Sequence, residues 1–281
     1  MHRPPIRLAA PPILAAAFAA IAAIALPAVA GPPPPASALA GAVVDLTHPF
    51  DADTVYWPTA PEGFVLETVF QGMTDKGYYY AANDFRAPEH GGTHLDAPIH
   101  FAESRWTADE IPVDHLIGPG VVIDVTAKAA ANRDYLVGVG DFTAWEQAHG
   151  RIPDGAIVLL ETGFGRFWPD RERYLGTAKR GAEAVSELHF PGLDPAAARW
   201  LVAERSIHAI GLDTASIDYG QSTLFESHRT LFAADVPALE NVAGLDRLPP
   251  DGFTVVALPM KIRGGSGGPL RIVAILPAGA P

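Results

Sequence analysis

The sequence contains no cysteine. This absence excludes disulfides, thiolate metal ligands and a cysteine nucleophile, so the protein depends on its apolar core, on bound metal or on subunit contacts. Basic residues are also scarce, because 20 Lys and Arg stand against 32 Asp and Glu and give a formal charge of −12. Binding to phosphate backbones needs a basic surface, so we exclude a nucleic-acid partner. The H-E-x-x-H pattern of common metalloproteases is missing as well.

Long apolar runs are confined to the N terminus. Arg3 and Arg7 precede an apolar run over residues 13–26, and Ala28-Val29-Ala30 supplies the small residues that signal peptidase recognises. The run is shorter than the about 20 residues that a membrane-spanning helix needs. Residues 1–30 are therefore predicted to be a cleaved signal peptide, with an uncleaved anchor as the alternative.

A cleaved signal peptide implies an exported protein, periplasmic or secreted, with no membrane contact after cleavage. Residues 31–41 contain four consecutive prolines and are predicted to form a stiff linker. The remaining residues 42–281 have the length of one ordinary domain.

The domain has the pattern of a mixed α/β fold. Asp194 and Pro195 predict the N-cap and first turn of a helix over residues 196–204, and Asp141 predicts the cap of a second helix that ends at Gly150. Short apolar runs rich in β-branched residues predict strands. These runs cover residues 43–46, 64–70, 121–125, 157–160, 207–212, 253–258 and 271–276.

The segment from His90 to His100 holds three histidines and Asp96. Imidazole nitrogen and carboxylate oxygen are the ligands of zinc and similar ions in catalytic sites. His94, Asp96 and His100 follow His90 at even offsets, which place side chains on one face of an extended segment. Gly91, Gly92 and Pro98 disfavour a helix here, and the glycines leave room for a metal and a substrate. The segment therefore predicts a metal site, although ten histidines make some accidental pairs inevitable.

A catalytic metal draws ligands from more than one segment, and residue types alone leave the second segment open. His228 and Glu240 are the candidates. A non-catalytic periplasmic metal carrier could use the same ligands, and a sugar- or lactone-binding module is a further alternative that leaves the cluster unexplained.

Two other sequence patterns lie outside the segment from His90 to His100. Residues 264–268 fit the G-x-S-x-G elbow of serine hydrolases, but no Asp, Glu or His follows Ser266, so we interpret them as a flexible loop at the rim of the site. The aromatic clusters at residues 56–57, 64 and 78–80 are predicted to pack in the core. Trp57 is the exception, because Pro58 places it in a turn where it could contact a flat substrate.

The motif His90-x-Gly92-Thr93-His94-x-Asp96-x-Pro98-x-His100 resembles the signature of the cyclase-like metal hydrolases, which include bacterial kynurenine formamidase and isatin hydrolase. The resemblance extends from about residue 43 to residue 276. It implies a single-domain α/β fold of the swivelling β/β/α type and a homodimer or higher homo-oligomer. It departs at Thr59-Ala60, where formamidase relatives continue Trp-Pro with Gly-Asp, so it does not imply specificity for kynurenine.

The resemblance also implies roles for the site residues. His90, His94 and Asp96 match ligands of a first metal ion, and His100 matches the catalytic acid/base. In the formamidase branch Asp96 also bridges to a second ion, which the matches to His228 and Glu240 would hold. One or two Zn²⁺ or Mn²⁺ ions are therefore expected.

The residue cluster and the resemblance together imply a metal-dependent amidohydrolase. Its substrate would be a small molecule with an amide-type C–N bond, either an aryl formamide or a cyclic amide such as isatin, cleaved by metal-activated water. An ester, a lactone or a carbamate is the alternative substrate for the same site.

Overall fold

The computed structural model describes residues 41–279. The predicted signal peptide, and the predicted linker apart from Gly41, lie outside the described residues. No helix between residues 41 and 279 is long and apolar enough to cross a membrane.

The described chain alternates strands with helices after an initial stretch of strands. The strands are β1 (Val43–Asp45), β2 (Val65–Met73), β3 (Tyr79–Arg86), β4 (His94–Asp96), β5 (Ile117–Asp124), β6 (Leu136–Val137), β7 (Ile157–Glu161), β8 (Gly192–Leu193), β9 (Ala209–Leu212), β10 (Ala238–Glu240), β11 (Phe253–Pro259) and β12 (Gly267–Ile275). The helices are α1 (Thr126–Ala131), α2 (Val139–His149), α3 (Arg171–Leu175), α4 (Pro195–Glu204) and α5 (Glu226–Phe232).

The main sheet closes on itself. Its order is β1-β12-β11-β5-β7-β9-β10-β4, and β4 pairs back onto β12. The central strands β5, β7 and β9 are parallel, and β4 lies antiparallel to both β10 and β12. The short strand β4 is therefore the closing strand of a barrel-like sheet.

The parallel strands are buried on both faces. On β7, Ile157 and Leu159 point into the barrel, where they join Leu95, Leu239 and the apolar side chains of β11 and β12. The alternate residues Val158 and Leu160 face outward and pack against the helices. A strand with a core on each side needs a continuous apolar run, and residues 157–160 have one.

Helices α2, α4 and α5 cover the outer face of the parallel strands through apolar side chains that include Phe142, Leu201 and Phe232. The predicted start of α4 is confirmed, because the Asp194 carboxylate accepts a hydrogen bond from the Ala196 amide at 2.6 Å. The predicted cap of α2 is wrong by three residues. Gly138 is the N-cap, and Asp141 lies in the first turn, where its carboxylate accepts the Gly138 amide at 2.8 Å.

Strands β2 and β3 form a separate hairpin that pairs with no other strand of the described chain. The prediction that the aromatic cluster at residues 78–80 packs in the core is wrong, because Tyr78, Tyr79 and Tyr80 are 56%, 59% and 50% exposed. Alternating aromatic residues favour a strand whether or not anything covers it, so the pattern indicated β structure without indicating burial.

Candidate active site

Strand β4 carries His94 and Asp96, whose side chains lie on the same face of the strand and are almost fully buried. The prediction of one extended segment from His90 to His100 holds only for the three residues of β4, His94–Asp96. His90 precedes the strand, and a 3₁₀ turn over Pro98–His100 follows it. The turn brings His100 back toward His90. The even spacing therefore predicted correctly that these two side chains are neighbours, but the extended backbone assumed for the whole segment is wrong outside β4.

Gly91 and Gly92 lie between His90 and β4, and both have positive φ angles, +150° and +60°. A Cβ atom on Gly91 would lie 2.1 Å from the ring of Tyr56, and one on Gly92 would lie 2.3 Å from the ring of Phe50. The glycines therefore make room for two aromatic rings, and the expectation that they also leave room for metal and substrate stays a prediction.

The closure of the barrel brings the second segment to the first. Glu240 on β10 pairs directly with His94 in the β4–β10 ladder, so the two side chains lie on one face. Oε2 of Glu240 lies 3.5 Å from Nε2 of His94. His228 comes from α5, and its Nε2 lies 3.1 Å from Oε1 of Glu240 and 3.3 Å from Oδ2 of Asp96. The four side chains converge on one point.

A hydrogen bond fixes the orientation of the His94 imidazole. Nδ1 of His94 donates to the carbonyl of Gly92 at 2.9 Å, and the same carbonyl accepts the side-chain amide of Asn241 at 2.7 Å. Nε2 of His94 is buried, makes no hydrogen bond and faces Oδ1 of Asp96 at 3.0 Å. A buried imidazole nitrogen that faces carboxylates and makes no hydrogen bond has the arrangement of a metal ligand. A divalent metal ion fits this set of donor atoms.

Electrostatics support the same fit. Burial opposes a charged imidazole at His94, but the carboxylates of Asp96 and Glu240 outweigh it and raise the pKa of His94 to about 9. Burial and the neighbouring Asp96 raise the pKa of Glu240. Burial also opposes the charge of Asp96, but the surrounding histidines hold its pKa well below the usual range. Two carboxylates buried this close together need positive charge.

Asp218 is a site residue to which sequence reasoning gave no role. Its Oδ2 accepts Nδ1–H of His228 at 2.6 Å and the His228 backbone amide at 3.1 Å. This bond leaves Nε2 of His228 facing Asp96 and Glu240, as in the carboxylate–histidine–metal arrangement. Asp218 closes the stretch Gly-Leu-Asp-Thr-Ala-Ser-Ile-Asp at residues 211–218, which lies within the span of the family resemblance, and this stretch was the available signal.

His90 and His100 also lie close to Asp96. Nδ1 of His90 lies 2.6 Å from Oδ1 of Asp96, and its Nε2 lies 2.8 Å from Oγ of Ser266. The His100 ring stacks on His90 with centroids 3.8 Å apart. Burial lowers the pKa of His100 to about 4. Ser266 belongs to the glycine-rich segment that we interpreted as a flexible rim loop, which is wrong for its second half, because Gly267 begins β12 and pairs with Asp96.

The structure thus brings all the predicted ligands around Asp96, in two groups that share it. Metal-binding atoms of His94, Asp96 and Glu240 lie within 4.8 Å of one another, and so do those of His90, Asp96 and His100. Nδ1 of His90 and Nε2 of His94 both face Oδ1 of Asp96, at 2.6 and 3.0 Å, and the shared metal that the resemblance implies for these three residues stays a prediction.

These groups form the floor of a cavity of about 270 Å³. Its walls are apolar and largely aromatic, and they include Tyr56, Trp57, Phe101 and Phe225. Trp57 lines the cavity, with its ring edge-on to Phe190 at 6.4 Å, and its contact with a substrate stays a prediction. Phe225 adopts a left-handed φ of +49°, which is costly for an aromatic residue and typical of functional sites.

Comparison with known proteins agrees with this geometry. Residues 44–219 match the family model described as putative cyclase. The chain belongs to this cyclase family. An isatin hydrolase of Roseibium aggregatum is 32% identical over 72% of this chain and 77% of its own length. A kynurenine formamidase of Salinibacter ruber is 27% identical over 83% of this chain and 96% of its own length.

Solved structures of family members show the same fold. An isatin hydrolase bound to the product analogue thioisatinate is 30% identical, covers 84% of this chain and 92% of its own, and superposes with a TM-score of 0.75. A potential metal-dependent hydrolase with cyclase activity is 25% identical, covers 83% and 96% of the two chains, and has a TM-score of 0.59. The predicted α/β fold and the family resemblance are confirmed, and this cyclase-family chain is a metal-dependent hydrolase of amide type.

Proposed function

We propose that this protein hydrolyses the C–N bond of a small aromatic amide, with an isatin-like cyclic amide as the preferred substrate and an aryl formamide as the second candidate. One observation carries the proposal. The buried carboxylate of Asp96 belongs to both groups of candidate metal-binding side chains, and these side chains line an aromatic cavity. The similarity to an isatin hydrolase that binds thioisatinate supports the cyclic amide.

The ligands proposed for the metal are His94, Asp96, Glu240 and His228, with His90 at the adjoining position. The identity of the ion is part of the proposal, since imidazole and carboxylate suit both Zn²⁺ and Mn²⁺. When bound, an ion of this kind supplies a Lewis acid that activates water and polarises a carbonyl oxygen at neutral pH.

The residues of the chain would then orient the reactants and move a proton. Asp218 and the Gly92 carbonyl hold the two imidazoles His228 and His94 in the ligating tautomer. His100 lines the cavity against His90 and would carry the proton released by the attacking water to the departing amide nitrogen. The water oxygen bonds to the carbonyl carbon, the C–N bond breaks, and the products are a carboxylate and an amine.

The cavity restricts the substrate. Its volume of about 270 Å³ lies just below the usual range of small-molecule sites, which is about 300–1,000 Å³. The walls offer aromatic faces, whereas the polar groups are concentrated at the floor. A compact one- or two-ring molecule that directs its amide toward the floor fits these constraints better than an extended or highly charged substrate.

The test combines metal analysis with turnover. Purified protein is assayed with isatin and with N-formylkynurenine as purified, after chelation, and after Zn²⁺ or Mn²⁺ is added back. We expect bound metal and hydrolysis of isatin that chelation abolishes and metal restores. A protein that binds no divalent metal, or one that binds metal and cleaves neither compound, would contradict the proposal.

Two variants separate the proposed roles. His94→Ala should lose metal and activity together. His100→Ala should keep its metal and lose roughly 10²–10⁴ in kcat, the usual contribution of a positioned proton carrier. His189→Ala, which removes an exposed imidazole paired with Asp134, is the control and should change neither quantity. Loss of metal from His100→Ala would make His100 a ligand.

We also propose that the protein is exported and that residues 1–30 are removed. The basic start, the apolar run and Ala28-Val29-Ala30 support this. N-terminal sequencing of the protein recovered from the periplasmic fraction of an expressing bacterium tests it, with Gly31 expected as the first residue.

A further inference from the structure

The hydroxyl of Ser266 lies between the imidazole of His90 and the carboxylate of Glu89. Oγ of Ser266 is 2.6 Å from Oε2 of Glu89 and 2.8 Å from Nε2 of His90. All three side chains are half-buried. The proposed reaction gives no role to Glu89 or Ser266, so the reason for this row of short contacts lies elsewhere.

Glu89 determines the direction of these hydrogen bonds. Its Oε2 also accepts the backbone amide of Ser266 at 3.0 Å, and an ionised carboxylate can only accept. The single hydroxyl proton of Ser266 therefore points to Glu89. Toward His90 the serine oxygen can then only accept, so a neutral His90 imidazole carries its one proton on Nε2.

This tautomer leaves Nδ1 of His90 without a proton, and Nδ1 faces Oδ1 of Asp96 at 2.6 Å. The imidazole of His94 has the same relation to that oxygen. Its Nδ1 donates to the Gly92 carbonyl, so its Nε2 carries no proton and faces Oδ1 of Asp96 at 3.0 Å. Two unprotonated nitrogens and a carboxylate oxygen that converge in this way form the donor set of a metal site.

Backbone pairing fixes Ser266 beside the ligands. The Ser266 carbonyl accepts the Ala97 amide at 2.9 Å, and the next residue, Gly267, pairs with Asp96 across the β4–β12 ladder. The hydroxyl is therefore held at a constant distance from the strand that carries Asp96.

The glycines on either side of Ser266 allow its two partners to approach. A Cβ atom on Gly267 would lie 2.7 Å from Cε1 of His90, and one on Gly265 would lie 2.8 Å from Oε1 of Glu89. A side chain at either position would push one partner away from the hydroxyl. The alternation of glycine and serine at residues 265–267 thus has a role in the site.

We propose that Ser266 and Glu89 are positioning residues of the metal site, which hold His90 in the Nε2–H tautomer so that Nδ1 is the atom that binds the ion. Both act through His90, since the cavity is lined by His90 and not by either of them. The arrangement extends the carboxylate–histidine–metal pattern by one hydroxyl. This assignment rests on the proposed metal site, of which His90 is a ligand.

A purely structural role for the two side chains is the alternative. The backbone argues against it, because the amides of Ala97 and Ala108 already bond to the carbonyls of Ser266 and Gly265, both at 2.9 Å. The segment is held without the hydroxyl. Loss of the hydroxyl should therefore affect metal binding while the melting temperature of the metal-free protein stays close to that of the wild type.

Metal affinity provides the first test. Ser266→Ala removes the acceptor of the Nε2 proton and should weaken Zn²⁺ binding about tenfold, the lower end of the range for a group that orients a ligating histidine. Ser266→Thr keeps a hydroxyl and should restore the affinity. Competition with a chromophoric chelator measures both. Thr177→Ala is the matched control, because Thr177 donates to Glu187 at 3.0 Å in the same way outside the cavity, and its Zn²⁺ affinity should not change.

The tautomer of His90 gives a readout that a structural role would not change. Long-range ¹H–¹⁵N correlation spectra of the Zn²⁺-loaded protein, labelled with ¹⁵N-histidine, show which ring nitrogen carries the proton. We expect the proton of His90 on Nε2 and the protons of His94 and His228 on Nδ1. In Ser266→Ala the Nε2 proton of His90 should exchange with water faster than in the wild type, because its acceptor is gone.

Three results would overturn the assignment while leaving the metal site intact. They are a wild-type His90 that carries its proton on Nδ1, a Zn²⁺ affinity that Ser266→Ala does not change, and an affinity that Ser266→Thr fails to restore although circular dichroism shows that it folds. A wild-type chain that binds no Zn²⁺ would instead contradict the proposed metal site, and the assignment would fall with it.

Discussion

The carboxylate of Asp218 receives the Nδ1 proton of His228 at 2.6 Å. The bond determines which nitrogen of that imidazole faces Asp96 and Glu240, and neither residue of the bond is exposed.

Asp218→Asn should weaken metal binding by about 10–100-fold, the usual cost of losing a carboxylate that orients a ligating histidine. The amide cannot hold the imidazole in the same tautomer with the same strength. Competition with a chromophoric chelator measures the change. Asp134→Asn is the matched control, because it breaks a similar pair with His189 at 2.8 Å on the surface, and its metal affinity should not change. Equal affinities for the wild type and Asp218→Asn would exclude the orienting role.

Removal of metal should lower the melting temperature. At a metal concentration of about 100 times Kd, binding stabilises the folded state by about 2.7 kcal/mol, and for a protein of this size that corresponds to about 5–10 °C. Calorimetry before and after chelation measures the shift. In Asp96→Asn the shift should vanish, because the carboxylate shared by both ligand groups is gone. A chelation shift that persists in this variant would place the metal elsewhere.

Trp57→Ala should reduce kcat/KM for an aromatic substrate by about tenfold, because an aromatic contact of this kind contributes about 0.5–1.5 kcal/mol beyond simple burial. The effect should fall mainly on KM, since Trp57 lines the cavity wall and the candidate ligands form the floor. Steady-state kinetics on isatin measure it. Trp200→Ala removes a tryptophan on α4 that packs on Arg205 and should leave KM unchanged. A fall in kcat alone for Trp57→Ala would argue against substrate contact.

Glu161 should make stability depend on pH. Burial and the nearby carboxylates of Asp124 and Asp213 raise the pKa of Glu161 to about 7. Between its unfolded pKa of 4.5 and this value the folded protein holds a proton that the unfolded chain has released. Stability therefore decreases as pH rises through this window, and the whole loss is present above pH 7.

The substitution Glu161→Gln removes the titratable carboxyl group at this position. The side chain is partly exposed, so solvent screening reduces the expected effect to about 1–2 kcal/mol. The variant should melt above the wild type at pH 8 and level with it near pH 4.5. Glu146→Gln is a control of opposite sign, because the hydrogen bond from Arg205 lowers the pKa of Glu146. That variant should lose stability at pH 7. A Glu161→Gln melting curve that matches the wild type at every pH would show that Glu161 titrates normally.

Local sequence patterns predicted the helices and strands whose structure depends mainly on their own residues. The Asp194-Pro195 start of α4 contains its own cap, and the apolar run of β7 reflects burial on both sides. The position of β2 was predicted to within a few residues at each end, but its exposure was not, because a strand pattern reports backbone preference and the cover of a face depends on the rest of the assembly.

The site divides in the same way. His90, His94, Asp96 and His100 lie close in sequence, so composition and spacing could identify them together. His228 and Glu240 needed the family resemblance, since the barrel closure that brings Glu240 beside His94 leaves no trace in local spacing. Asp218 was missed because its effect passes through His228, ten residues further along the chain, and no local spacing links the two residues.

The position of β4 as the closing strand of the sheet also determines when, during synthesis of the chain, the site can form. His94 finds its neighbours only when Glu240 and Pro269 have been made, since these residues lie opposite it on β10 and β12. A chain still growing from its N terminus carries the histidine cluster early but cannot assemble the pocket around it until almost its last strand has emerged. Truncations that stop before β12 should therefore leave the histidines without a shared metal site. Metal binding is then expected only after nearly the whole chain has been synthesised.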